Sequence, residues 1–473
     1  MNIFTYFQKK GINTVDASFY RDIKKWKSWY KGNVKNFSWY KIYSGQGTYN
    51  RKKRKSMGMA KKLCEDMADL LINERVKITL SDKHTENYVL KVLEDNKFCV
   101  KGNEYQERKA ATGTVAYVPH LNNMEIDGEG AVVAGKVVID YYSGEEIFPI
   151  SWDNGRIIEC AFVTVKTICA KKYVQIQHHR KVGEQYLIEN TILECMSGSQ
   201  EGKELTPKEW KIIPEFQEVL PEISTGSDKP QFVIDKLNIV NNVAEDENNP
   251  MGIAIYANAI DILQKLDIEF DSYCNEFDLG RKRIFVAPDM LDYKDGTPAF
   301  DPEDTTFYRL PEDYFDDKKS EAIHEINMEL RTEEHSRAIN DSLNYLSLKC
   351  GFGTKKYRFE GGEVKTATEV ISENSDMYRT VKKHELILDS VIKELIMIII
   401  RLGNIAGENL DESAEIKIDF DDSIIEDTEA ERNRDKADVA IGAMPLWEYR
   451  AKWYGETKEQ AQAVVGKPAE VIE

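Results

Sequence analysis

The chain has 473 residues, of which 41% are hydrophobic, so it is long enough for two to four domains and apolar enough to fill real cores; this excludes a disordered protein. Its 64 basic and 82 acidic side chains leave a formal charge of −18. That balance argues against tight, static binding to phosphate, which needs a basic footprint, but not against a protein past which nucleic acid must slide.

At the start, Met1-Asn-Ile-Phe has no basic region followed by an apolar one, so no secretory signal is expected. Residues 16–40 are aromatic and basic. Trp26, Trp29 and Tyr30 fall on one helical face, with Gly32 as a stop. Such a face can stack on single-stranded nucleic acid, but more often it packs or meets a partner. The run Arg51-Lys-Lys-Arg-Lys55 is a candidate nucleic-acid or partner patch, or a solvated approach to the helix that follows from Ser56. From about 86 to 195 the pattern turns to strands: Tyr88–Leu93, 131–133, 136–141, Ile157–Val163, Tyr173–Gln177 and 186–188. Asp153-Asn-Gly155 marks a hairpin turn, because Asn and Gly tolerate positive φ. His178-His179 ends a strand and reads as surface, its two side chains pointing to opposite faces.

Residues 197–250 read as a loop-rich crossing, with a boundary at Asn248-Asn-Pro-Met-Gly252. Ile255, Ala259, Ile262, Leu266, Phe270, Tyr273 and Phe277 then mark an amphipathic helix ending near Gly280. An insertion at 282–331 predicts one strand at Arg283–Ala287 and another through Ile326, Met328 and Leu330. Thr332 is the expected N-cap of a further helix, with Glu333 and Glu334 suiting its dipole and Gly351 and Gly353 supplying its stop. Thr366 and Glu369 have capping-box spacing and open a long helix. Its seam carries Val370, Asn374, Met377, Val381, His384, Leu388, Val391, Leu395, Ile398 and Leu402, either as core or as a contact between subunits. The apolar run from Val391 to Ile400 is interrupted by Lys393 and Glu394 and reads as core, not membrane. A strand at Ile416–Phe420 and helices from Glu429 and Ala461 close the chain.

Chemical motifs are scarce. There is no phosphate-binding GxxxxGKT loop, no GxSxG elbow and no HExxH. Cys64, Cys99, Cys160, Cys169, Cys195, Cys274 and Cys350 contain no CxxC pair and suit reduced thiols, so neither a disulfide frame nor a zinc site is expected. The best metal candidate is Asp419, Asp421 and Asp422, the set that a metal-dependent DNA-processing enzyme would use; acids at a strand end are more often a solvated turn.

Several stretches together carry a resemblance. They are Trp26-Lys-Ser-Trp-Tyr30-Lys-Gly, the basic run passing into Ser56-Met-Gly-Met-Ala60 and on to Glu74, Glu333-Glu-His335, and Lys365-Thr-Ala-Thr-Glu-Val370-Ile-Ser-Glu-Asn374. With these in their order, the chain resembles the portal (head-to-tail connector) proteins of tailed bacteriophages, of the type found in long-tailed phages of Gram-positive hosts. The resemblance implies an α+β portal fold: a wing at 1–250, a stem helix at 251–281, a clip at 282–331, a second stem helix at 332–352, a tunnel loop at 353–365, a long wing helix at 366–402 and a C-terminal wing and crown at 403–473. It further implies a homo-oligomeric ring, commonly of twelve subunits, at one capsid vertex of the virion, assembled in the host cytoplasm. Such a ring conducts double-stranded DNA without sequence specificity during packaging and ejection. Its expected partners are the terminase large subunit, the head-tail adaptor, and the major capsid and scaffolding proteins; no membrane, cofactor, metal or catalytic residue is expected. On the tunnel loop, Lys355, Lys356, Arg358 and Lys365 would touch the DNA backbone, and Gly361-Gly362 would let the loop change conformation. The alternatives are the enzyme built on Asp419, Asp421 and Asp422, and a scaffold protein with a dimeric coiled coil.

Overall fold

A computed structural model describes residues 3–43, 49–72, 76–126, 132–195, 202–280, 283–286, 293–294, 297–298, 307–309, 323–326, 329–359, 367–420 and 428–465. Helix α1 (Ile3–Lys9) leads to α2 (Ala17–Tyr30), which starts where the Asp16 carboxylate accepts the Ser18 N–H at 2.6 Å. Its face of Phe19, Tyr20, Ile23, Trp26 and Trp29 is buried, and Tyr20 stacks on Phe148 at 4.9 Å, so these aromatics close a core within the chain. A hairpin follows, β1 (Trp39–Tyr43) and β2 (Tyr49–Lys53), then α3 (Met59–Leu71) and β3 (Lys77–Leu80).

The expected strand at Tyr88–Leu93 is instead part of a helix, α4 (Lys83–Asp95). The Asp82 carboxylate accepts both the Thr85 N–H and its hydroxyl, fixing the first turn. Val89, Val92 and Leu93, spaced as one helical face, are buried. Cap and burial together override the strand preference of the valines. Helix α5 (Phe98–Thr112) completes this layer.

Two antiparallel sheets lie next. In one, β12 (Val233–Lys236), β4 (Thr114–Ile126) and β5 (Val132–Ser143) pair in that order. In the other, the order is β10 (Gly202–Glu204), β9 (Gln185–Cys195), β8 (Lys171–Val182), β7 (Arg156–Ile168) and β6 (Ile147–Asp153), with β11 (Glu222–Ser224) also on β9. The β6–β7 turn puts Asn154 and Gly155 at φ 48° and 75°, the conformation that a two-residue hairpin demands. His179, expected at the surface with His178, is fully buried. It lies edge-on to Phe162 and Phe232, each at 5.4 Å, and burial pushes it down to about 3, so it is a neutral core residue. The crossing between β9 and β12 has a small core of its own, where Trp210 of α6 (Pro207–Trp210) and Phe216 join Tyr173, Ile192 and Leu205.

The boundary at 248–252 is a close crossing of backbones. A Cβ on Gly252 would lie 2.3 Å from the Gly113 carbonyl oxygen, and Gly113, at φ +85°, faces the same clash in reverse. Beyond it, α7 (Ile260–Leu279) and α8 (Thr332–Lys349) pack as a pair. Between them run β13 (Arg283–Val286), β14 (Tyr293–Lys294), β15 (Thr297–Pro298), β16 (Phe307–Arg309) and β17 (Ile323–Ile326). β17 is antiparallel to β13 and ends at Ile326; Leu330, placed in that strand by its alternation, lies past its end and exposed, and Met328 is outside the described residues. Arg331 occupies the cap position of α8, with no side-chain cap bond, and the expected cap Thr332 is its first residue. Helix α9 (Ala367–Ile405) is 39 residues long; the expected cap Thr366 is outside the described residues. β18 (Ile416–Asp419) pairs with β3, and α10 (Thr428–Ala440), α11 (Leu446–Tyr454) and α12 (Lys458–Val465) end the described chain.

A buried polar knot ties these parts together. Lys109 of α5 donates to both oxygens of Asp235 on β12, at 2.9 and 3.1 Å, with both side chains inaccessible to solvent. Gln106 donates to the same carboxylate at 2.7 Å and Tyr117 of β4 at 3.3 Å. Removing one partner of such a pair typically costs about 3–5 kcal/mol, because the other charge stays buried. Lys109→Met is therefore expected to lower the urea midpoint of unfolding by an amount equivalent to about 3–5 kcal/mol. Adding Asp235→Asn to it should cost less than the sum of the two single changes; additive losses would contradict a coupled pair.

Candidate functional site

The basic run 51–55 lies against α7, on whose flank Asp267, Asp271, Asn275 and Asp278 recur at spacings of four and three. The Lys55 N–H donates to Asp271 at 2.9 Å; Ser56 Oγ and the Met57 N–H donate to Asp267 at 3.0 and 3.1 Å. Lys52 donates to Asn275, Lys55 lies 3.5 Å from Asp278, and Arg54 sits over the rings of Phe37 and Tyr40. Much of the run thus fastens the hairpin to a helix more than 200 residues away. Burial pushes the Asp267 carboxyl up, which these donors oppose.

On its other side α7 grips α8. Ser342 donates to Glu269 at 2.7 Å, and Arg331 makes a two-pronged contact with Glu276 at 3.0 Å per arm. That guanidinium holds the Glu276 carboxyl down at about 2. At the far end of α8 the chain reverses through Gly351 at φ +81° and Gly353 at φ +75°. Gly351 is needed for space as well as for its turn, since a Cβ there would lie 2.7 Å from Cγ2 of Thr380 on α9.

After the reversal the chain alternates. Lys355, Lys356 and Arg358 are exposed, whereas Tyr357 and Phe359 turn inward. The Tyr357 hydroxyl donates to Asp66 of α3 at 2.7 Å; burial and that carboxylate together push it well above the usual phenol range. Phe359 lies edge-on to Tyr273 at 5.2 Å and to Phe270 at 6.3 Å, and its N–H donates to Asn340 at 2.8 Å. Asn344, one turn further along α8, accepts the Lys355 N–H at 3.2 Å. The aromatic residues are therefore anchors within the chain, and the cations stand on the outer side of an anchored segment. Asp66, Asn340 and Asn344 were not singled out from the sequence; Asn340 and Asn344, four apart on one helix, are the only local signal that could have done so. Gly361, Gly362 and Lys365 lie outside the described residues.

On α9, Met377, Val381, His384 and Leu388 are buried, as are Val391, Leu395, Ile398 and Leu402. Val370 and Asn374 are within the helix, but their side chains are outside the described set. His384 Nδ1 accepts the Asn238 N–H at 3.1 Å, and the Asn238 amide donates to the Lys383 carbonyl at 2.9 Å. Burial, aided by the positive charge of Lys109, pushes His384 down to about 3. Asp419 is exposed and faces Lys417 at 3.7 Å; Asp421 and Asp422 are outside the described residues. Among the described residues no three His, Cys, Asp or Glu side chains are grouped to hold a metal, and no helix is long and apolar enough to cross a membrane.

Against known proteins, a family model described as phage portal protein, SPP1 Gp6-like, matches residues 10–463. The chain belongs to the phage portal protein family. No curated protein matches it. The family match takes in the hairpin, the α7–α8 pair, the anchored segment and α9 together, and nothing in it supports a metal-dependent enzyme.

Two outcomes follow for this portal family member. Phe359→Ala should release residues 353–359, read as at least tenfold faster amide exchange there with α9 unchanged; equal protection would show that Phe359 anchors nothing. His384 is neutral in the fold and, unfolded, takes up a proton near pH 6.5, so its contribution is complete above that pH and is lost as pH falls towards 3. Between pH 7 and 4 the stability of His384→Gln should accordingly fall less steeply than that of the parent chain, as followed by denaturant unfolding.

Proposed function

We propose that this chain forms a closed ring at one capsid vertex of a virion and serves as the conduit for double-stranded DNA during packaging and ejection. The observation that carries the reading is the family match over residues 10–463. In this reading residues 1–250 are the wing, α7 and α8 the paired stem, 282–331 the clip, 353–365 the tunnel loop, α9 the long wing helix and 403–473 the C-terminal wing and crown. The terminase large subunit and the head-tail adaptor dock on the ring, and the major capsid and scaffolding proteins surround it. A ring of twelve is the expected number. The chain contributes no catalysis of its own.

Electrostatics support the reading. A chain of net charge −18 repels phosphate on balance, which would hold DNA off the wall. Lys355, Lys356 and Arg358 then supply brief backbone contacts that carry no sequence preference. Anchoring by Tyr357 and Phe359 limits how far the described part of the loop can swing. His384, Met377, Val381 and Leu388 keep α9 in register with its own wing.

The test has two parts. Light scattering on the purified protein should give a mass that is a high multiple of the 54.4 kDa chain; a monomer would contradict the reading. Replacing Lys355, Lys356 and Arg358 together by Ala should preserve that mass while reducing retention of double-stranded DNA about tenfold or more at low salt and flattening its salt dependence. Unchanged retention would remove these side chains from the channel.

A further inference from the structure

The ring reading, on which this inference rests and which it deepens, requires each subunit to offer two different and complementary flanks, because a cyclic assembly is joined head to tail. The hairpin supplies one flank. Its strands pair as Trp39–Lys53, Lys41–Arg51 and Tyr43–Tyr49. Alternate strand residues share a face, so these six side chains stand together and Tyr40 and Lys52 stand behind them. The rear face is fixed to α7, with the Tyr40 hydroxyl donating to Asp271 at 2.9 Å and Lys52 to Asn275. The front face is open to solvent: Trp39, Tyr43 and Tyr49 are 44%, 63% and 68% exposed, and all three cations are exposed.

Helix α8 supplies the other flank. At about 100° per residue, Asp267, Asp271 and Asn275 occupy one side of α7, and Glu269 and Glu276, which hold α8, occupy nearly the opposite side. The layer therefore runs hairpin, α7, α8. On the side of α8 turned from α7, Glu334, Arg337, Asp341, Tyr345 and Leu348 form one stripe, all exposed, with Tyr345 at 53% and Leu348 at 49%. Acids dominate its first half and apolar groups its second.

The two flanks match in chemistry and in spacing. Successive same-face rows of the hairpin lie about 7 Å apart. Along α8, Asp341 is about 6 Å from Tyr345 and Glu334 about 16 Å. We propose that the front face of the hairpin in one copy docks on the α8 stripe of the next. Tyr43 and Tyr49 cover Tyr345 and Leu348, Lys41 and Arg51 meet Asp341, and Lys53 reaches Glu334, with Arg337 falling level with Trp39. Base stacking by a nucleic acid suits the same rings less well. Lys41 already lies 5.9 Å from the Tyr49 centroid and Arg51 5.7 Å from that of Trp39, capping faces that a base would need.

Charge reversal tests this directly. Arg51→Glu with Lys53→Glu, and separately Glu334→Lys with Asp341→Lys, should each reduce the ring fraction at least tenfold by light scattering. An equimolar mixture of the two proteins should regain rings of alternating subunits, as should one chain carrying all four substitutions; such rescue also shows that the variants fold. Either variant assembling like the parent, or failure of both rescues, would overturn the docking pair while leaving the ring reading in place. Failure of the unaltered chain to assemble would instead remove the reading beneath it. Normal rings with lost binding of a single-stranded oligonucleotide would assign the hairpin face to nucleic acid and overturn the proposal.

Discussion

The carboxylate of Asp235 is the point on which the fold turns. It belongs to a short strand reached only after a long crossing, and alone in an apolar interior it would be strongly disfavoured. Lys109, Gln106 and Tyr117 converge on it from α5 and β4. With three donors held on one carboxylate, β12 has one register on β4. Three residues further on, Asn238 delivers its N–H to His384 and so sets the height of α9 against the sheet. Burial pulls the Lys109 ammonium downward and the carboxylate opposes this, so the knot holds only while complete.

One turn before His384, α9 meets the turn that closes the helix pair. Gly351 passes Thr380 so closely that no side chain fits, and the following residues alternate between contacts with α3, α7 and α8 and exposure to solvent. Positive charge is thus presented from an anchored backbone in a chain whose net charge is −18. Strong, permanent binding would stall a sliding polymer, whereas a few cations on an acidic wall give weak contacts that salt readily screens. On the proposed reading, acidic composition and basic loop are two halves of one device, and the hairpin contact between copies would use Lys41, Arg51 and Lys53 for assembly.

Local pattern carried part of this into the sequence. Spacing by threes and fours picks out the residues that α9 buries, and Asp153-Asn-Gly155 declares its turn because few other residues accept positive φ. The failures have particular causes. Tyr88–Leu93 has strand-like composition, but the Asp82 cap and the burial of Val89 and Val92 select a helix. His179 looked like surface because nothing nearby in sequence announces Phe232, the ring that covers it. The basic run left a partner patch and a solvated approach open, and what holds Lys52 and Lys55 lies more than 200 residues later on α7, where no local pattern points. Within the candidate site the charged residues were legible as residues. Their outward direction was not, because it is imposed by Asp66, 291 residues away from Tyr357, and by Asn340 on a neighbouring helix.

In the proposed ring, identical chains close around a hole and the segment after Gly351 faces it. Electron microscopy of the purified protein, with a gold label attached through a cysteine placed at Lys356, measures both at once. A rotationally symmetric ring with label density inside the central opening is expected. Single particles without a hole, or label on the outer rim of a ring, would contradict it.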